Sequence, residues 1–88
     1  MKHLSHLRNE LDLVSKELIF LLAKRKDLTK QIAEVKKEKN IPIDDPSREQ
    51  TQIQFIRRLA IENGLDSDVV QKLFEIFINY CKEEMKQP

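Results

Sequence analysis

Glycine occurs once in these 88 residues, tryptophan not at all, and cysteine only at Cys81. Sheet sandwiches and barrels need turn residues every few positions, so one glycine and three prolines argue against an all-β architecture. A lone thiol excludes an internal disulfide framework and a cysteine-based zinc cluster, and a reducing cytoplasm is the expected compartment. Long hydrophobic runs are missing too. Leu18 to Ala23 is the longest near-continuous apolar stretch, too short for a membrane span, and no signal peptide is expected. Charge of one sign is equally scarce: 16 Lys and Arg nearly cancel 15 Asp and Glu, leaving +1 and no general attraction to nucleic acid or membrane. No glycine-rich loop is present to cradle phosphate, and no basic-aromatic pattern to bind single strands.

What remains is 35% charged and 40% hydrophobic residues, the balance of a chain built from long amphipathic helices. We therefore expect an all-α protein with a single domain over residues 1–88. A solitary core is marginal at this length, so close helix packing or self-association has to supply further burial. Charge is uneven along the chain: residues 1–39 carry ten basic side chains against six acidic ones.

Apolar residues at Leu4, Leu7, Leu11, Val14, Leu18, Leu21, Leu28, Ile32 and Val35 follow a 4-3 spacing with one gap, at position 25. No Gly or Pro interrupts them. The pattern predicts one helix over about residues 4–38, on the order of 50 Å long, which needs partners along its length. Pro42 lies in the break, and Asp45-Pro46 reads as an N-cap followed by proline in the first helical turn. The second helix shows an apolar face at Ile53, Ile56, Leu59 and Ala60 and ends near Glu62, where Asn63-Gly64-Leu65 has the form of a helix stop. Asp66, Ser67 and Asp68 start a third helix whose face runs Val70, Leu73, Phe74, Phe77, Ile78, Cys81 and Met85.

The gap at position 25 is filled by Arg25. An arginine on an apolar seam must reach water, pair with an acid, fix helix register or await an anionic ligand. Lys36 lies eleven residues further on, close to three full turns, so both side chains project from nearly one face and could grip one anion. Arg8 lies on a similar stripe but about 26 Å along the axis from Arg25, too far to share a small ligand on one helix. Two such helices paired antiparallel about a midpoint between Lys16 and Glu17 would bring Arg8 of one chain level with Arg25 of the other, giving two equivalent sites. Taken alone, Arg8 reads as a solvated helix residue.

Asp45, Arg48 and Glu49 open the second helix, where free backbone N–H groups favour an anion. Asp45 is a cap on any reading, whereas Arg48 and Glu49 are either ligand-binding groups or ordinary surface ion-pair residues. His3 and His6 lack a further metal ligand and read as an exposed terminus. Cys81 reads as a small core residue without a cue for thiolate activation, so nucleophilic catalysis and a metal site are not expected.

Taken together, certain stretches resemble the all-helical class of chorismate mutases over essentially the whole chain. They are Leu7-Arg8 with Leu11-Asp12, Leu21-Leu22-Ala23-Lys24-Arg25 with Leu28, Lys36, Ile41 through Glu49, Glu62-Asn63-Gly64-Leu65-Asp66, and Leu73-Phe74. The resemblance implies an intertwined homodimer of three-helix subunits. It implies rearrangement of chorismate to prephenate without cofactor or metal, and hence a place in the shikimate pathway and aromatic amino acid biosynthesis. Carried over by residue, it implies that Arg25, and Arg8 from the partner subunit, bind the substrate carboxylates, while Lys36 contacts a carboxylate and the ether oxygen. Asp45 and Glu49 would hold the ring hydroxyl, and Arg48 would add positive potential. The sequence departs from the family at Met85, where Gln or Glu is usual, and at Cys81, where a small hydroxyl residue is frequent. Methionine donates no hydrogen bond, so reduced activity is expected. Two alternatives stay open: a relative acting on isochorismate or aminodeoxychorismate, and a catalytically weak helical dimer that binds a metabolite.

Overall fold

The computed structural model describes residues 3–86, with side chains through Met85. Met1, Lys2, Gln87 and Pro88, which the expected 1–88 domain includes, lie outside the described residues. Three helices follow one another: α1 (Leu4–Glu38), α2 (Pro46–Glu62) and α3 (Ser67–Lys86), with no strand among the described residues. The all-α expectation holds, and the helix limits fall where the sequence placed them. The chain divides into two compact units, Met1–Ile32 and Ala33–Pro88, with the division inside α1.

The first unit consists of α1 up to Ile32. Its helix continues without glycine or proline, and Thr29 Oγ1 donates to the Arg25 carbonyl at 2.9 Å, a turn-to-turn bond next to the residue that breaks the apolar seam. Gln31 Nε2 donates to Asp27 Oδ2 at 2.7 Å on the exposed side. Leu4, Leu11, Val14, Leu18 and Leu21 are all exposed, so the stripe is formed but left uncovered. His3 and His6 are exposed, with their rings edge to face at 6.3 Å between centroids. No group of three potential metal ligands occurs among the described residues.

The second unit holds the last turn of α1, a loop, and the α2–α3 hairpin. Asn40 takes a left-handed conformation (φ 57°), its N–H reaches the Lys37 carbonyl, and Ile41 N–H donates to the Lys36 carbonyl at 2.8 Å. These two bonds close the last turn of α1 in the paired pattern that ends many helices. Lys36 and Lys37 sit in that turn, where the helix dipole favours cations. The same closure recurs after α2: Gly64 (φ 73°) donates to Ile61 and Leu65 donates to Ala60 at 2.8 Å. Glycine was expected at the second stop, whereas asparagine carries the first.

At the start of α2 the Asp45 carboxylate accepts from Arg48 N–H at 3.1 Å, and Pro46 occupies the first helical turn. At the start of α3 the Asp66 carboxylate accepts from Asp68 and Val69 N–H groups at 2.9 and 3.1 Å. Each such cap is worth about 1 kcal/mol. A four-residue connection, 63–66, folds α3 back along α2. Across the pair, Arg57 Nη1 donates to Asp68 Oδ1 at 2.8 Å and to Gln71 Oε1 at 2.6 Å.

Among the described residues, Ile56, Ala60 and Cys81 are the buried apolar ones. Ile53, Val70, Phe74, Phe77, Ile78 and Met85 are half-buried around them. Leu59 and Leu73 depart from the expected inward faces, Leu73 being 62% exposed. Leu73 falls instead on a second apolar stripe of α3, with Val69, Ile76 and Tyr80, all exposed at 4-3-4 spacing. Sequence pattern merges two adjacent stripes; packing against α2 uses one of them.

Candidate functional site

In the second unit the expected groups come from the end of α1, the loop, the first turn of α2 and the last turns of α3. Lys36 is half-buried, and its Nζ donates to the Ile43 carbonyl at 3.3 Å. That bond draws the loop after Asn40 back over the end of α1, so Lys36 is tied to the segment leading into α2. Two residues beyond Ile43, Asp45 caps α2. One of its oxygens is committed to the backbone, and the other keeps its accepting capacity. Arg48 is exposed, and Glu49 is half-buried one turn into the helix. The capped N-terminus presents backbone donors and a positive dipole end beside these side chains.

From α3 come Cys81, 2% exposed, and Met85, half-buried, one turn apart. Cys81 is thus a buried residue, as its apolar setting suggested. Between them lies Lys82, which no motif or spacing singles out. Its ammonium pairs with Glu49 Oε1 and lies 3.8 Å from Asp44 Oδ1. The hydrogen bond to Glu49, reinforced by the charges of Glu49 and Asp44, holds the Lys82 pKa above the ordinary lysine value of 10.5, with partial burial pulling the other way. Lys82 stands 33 residues from Glu49 in sequence, so only the hairpin brings them together, and no linear motif announces the pair.

In the first unit Arg8 is exposed and Arg25 half-buried. Both lie on α1, as does Lys36. Arg25, at the seam position, is thus partly sheltered, while Arg8 matches the solvated helix residue that its sequence context suggests when taken alone.

The second unit therefore carries Lys36, tied to the loop at Ile43, and Asp45, Arg48 and Glu49 at the N-terminus of α2, with Glu49 paired to Lys82 of α3. Such a set can hold a small anion that also carries a hydroxyl: cations and backbone donors meet the charge, and carboxylates accept from the hydroxyl. Residues 7–86 match the family described as chorismate mutase type II. The chain belongs to that family. It is 34% identical over 87 residues to a chorismate mutase of Methanocaldococcus jannaschii, an alignment covering 99% of this chain and 88% of the relative. It is 36% identical over 85 residues to a T-protein of Haemophilus influenzae, covering 94% of this chain and 22% of the relative. It is also 37% identical over 71 residues to a bifunctional chorismate mutase/prephenate dehydratase of Buchnera aphidicola, covering 81% and 18%. The chain thus spans most of the first relative and about a fifth of the other two.

Proposed function

We propose that this protein is an isomerase that rearranges chorismate to prephenate. The observation that carries this reading is the family match over residues 7–86, joined to near full-length similarity with a chorismate mutase of comparable size. The chemistry asks for no covalent intermediate. A bond to the ether oxygen breaks as a carbon–carbon bond forms, and partial negative charge grows on that oxygen. Catalysis then consists of holding the compact reactive conformer and placing cations and donors where the charge develops.

In this reading Arg25 binds a substrate carboxylate, Lys36 contacts a carboxylate and the ether oxygen, and Arg8 is contributed by a second copy of the chain. Asp45 and Glu49 accept from the ring hydroxyl, and Arg48 adds positive potential. Cys81 and Met85 line the α3 side. A homodimer is supported by the two uncovered apolar stripes, one on α1 and one at Val69, Leu73, Ile76 and Tyr80, whose burial would stabilise the assembly by about 25 cal/mol per Å². Residues 1–88 act as one domain in this assembly, and a cytoplasmic location fits the lone buried thiol. Among the described residues no helix is long and apolar enough to cross a membrane.

The test is the ultraviolet absorbance of chorismate with purified protein at several concentrations, with products separated by chromatography. Prephenate formed in proportion to protein is expected; a folded protein that leaves chorismate unchanged overturns the reading. Met85 favours a second reading. Without a donor at that position the site acts slowly on chorismate or prefers isochorismate or an amino-substituted analogue, and the same chromatography with those substrates distinguishes the two.

A further inference from the structure

Lys82 follows the buried Cys81 and precedes Met85 by three positions, so it leaves α3 at the level of the proposed substrate-facing residues. Its side chain is 27% exposed, against 42% for Glu49 and 73% for Asp44, so the lysine is the most sheltered side chain of the three. A single cation therefore joins three segments: the loop at Asp44, the first turn of α2 at Glu49, and the last turns of α3.

The plainest account of such a cluster is a stabilising ion pair. With both carboxylates this exposed, a pair of this kind adds little to folding, since exposed pairs are commonly near neutral in stability. Its effect on geometry is larger. A glutamate side chain samples many rotamers, and ordering it at the moment of binding weakens the complex. Lys82 occupies Oε1 of Glu49 and leaves the second carboxylate oxygen to accept another bond. Asp44 lies further from the ammonium, at 3.8 Å, and acts as a flanking charge.

We propose that Lys82 is a positioning residue of the active site, fixing the orientation of the Glu49 carboxylate so that its second oxygen meets the ring hydroxyl of the substrate. This rests on the chorismate mutase reading, in which Glu49 is the acceptor for that hydroxyl. Lys82 acts through Glu49 and contributes to substrate affinity more than to the rearrangement itself. A site that couples α3 to hydroxyl recognition in this way distinguishes substrates by the group at that ring position.

The experiment uses the full chain with chorismate as probe and compares the native protein with Lys82→Met, Lys82→Arg, Glu49→Gln and the Lys82→Met/Glu49→Gln double variant. Lys82→Met should raise KM about tenfold while kcat changes less than threefold, the size expected for losing one charge-assisted contact. Lys82→Arg, which keeps the charge, should recover most of the affinity. In the Glu49→Gln background the added Lys82→Met change should have little further effect on KM. An unchanged KM in Lys82→Met overturns the proposal, as does a full tenfold loss that persists in the Glu49→Gln background. Failure of the native protein to consume chorismate overturns the functional reading and this inference with it; an active native protein with an indifferent Lys82 overturns the inference alone.

Discussion

The Lys36 ammonium donates to the Ile43 carbonyl across seven residues of sequence, joining the last turn of α1 to the segment that enters α2. In the absence of ligand this carbonyl occupies part of the ammonium's donor capacity. Two more N–H donors remain for a substrate. Replacing Lys36 with Met should therefore leave helix content unchanged and lower kcat/KM for chorismate by about 10²-fold or more, the loss typical of a donor to developing oxyanion charge. Circular dichroism and steady-state kinetics on one preparation check both halves of this expectation.

Arg8 and Arg25 supply the decisive test of a shared site. Each of Arg8→Ala and Arg25→Ala should be inactive as a homodimer. Mixed in equal amounts under exchange conditions, half the dimers become heterodimers and each of those restores one intact site of two, so about one quarter of native activity returns. A mixture that stays inactive after mass spectrometry has verified exchange would show that both arginines belong to one chain's site.

Met85→Gln restores a donor on α3. If the missing bond limits the reaction, kcat should rise by about tenfold or more with little change in KM, because the interaction is made to charge that develops in the transition state. Stopped-flow absorbance of chorismate loss checks it, and an unchanged kcat would mean that another group already meets the ether oxygen.

Gly64 offers a stability test free of packing. A Cβ at this position meets nothing within 4 Å, so the cost of Gly64→Ala comes from the left-handed backbone at φ 73° alone. About 1 kcal/mol of destabilisation is expected in denaturant titration, with an unchanged m-value.

For Lys82 the sign of the pH effect follows from its raised pKa. A cation bound more tightly in the folded state stabilises below the unfolded value near 10.5, and that contribution disappears as pH rises through the higher folded value. Through the neutral range the pair with Glu49 is therefore intact. A nuclear magnetic resonance titration of the lysine side chains, assigned by Lys82→Arg, should give a midpoint above 10.5 for Lys82. A midpoint at or below it would contradict the ion pair.

The helix limits were legible because each is written into a few neighbouring residues: Asp45 and Pro46 at one end of α2, Asn63 and Gly64 at the other, Asp66 before α3. The anomaly at Arg25 was equally plain, since a charge at a seam position violates a repeat visible in one dimension. Leu73 was misplaced because two apolar stripes run side by side on α3 and periodicity alone does not say which one α2 covers. Lys82 was missed for a related reason. Its partners Asp44 and Glu49 lie 38 and 33 residues earlier in the chain, and among this many lysines nothing but tertiary packing singles out one of them.

The stops and caps have a kinetic consequence. The bonds that end α1 and α2 and those that begin α2 and α3 link residues no more than five apart in sequence. Segments bounded so locally find their shape on the microsecond scale, without waiting for distant parts of the chain. In the homodimer proposed above, the encounter of two chains would then be the slow event. Maturation to the active form should accordingly follow the square of chain concentration, so that synthesis rate governs how soon activity appears.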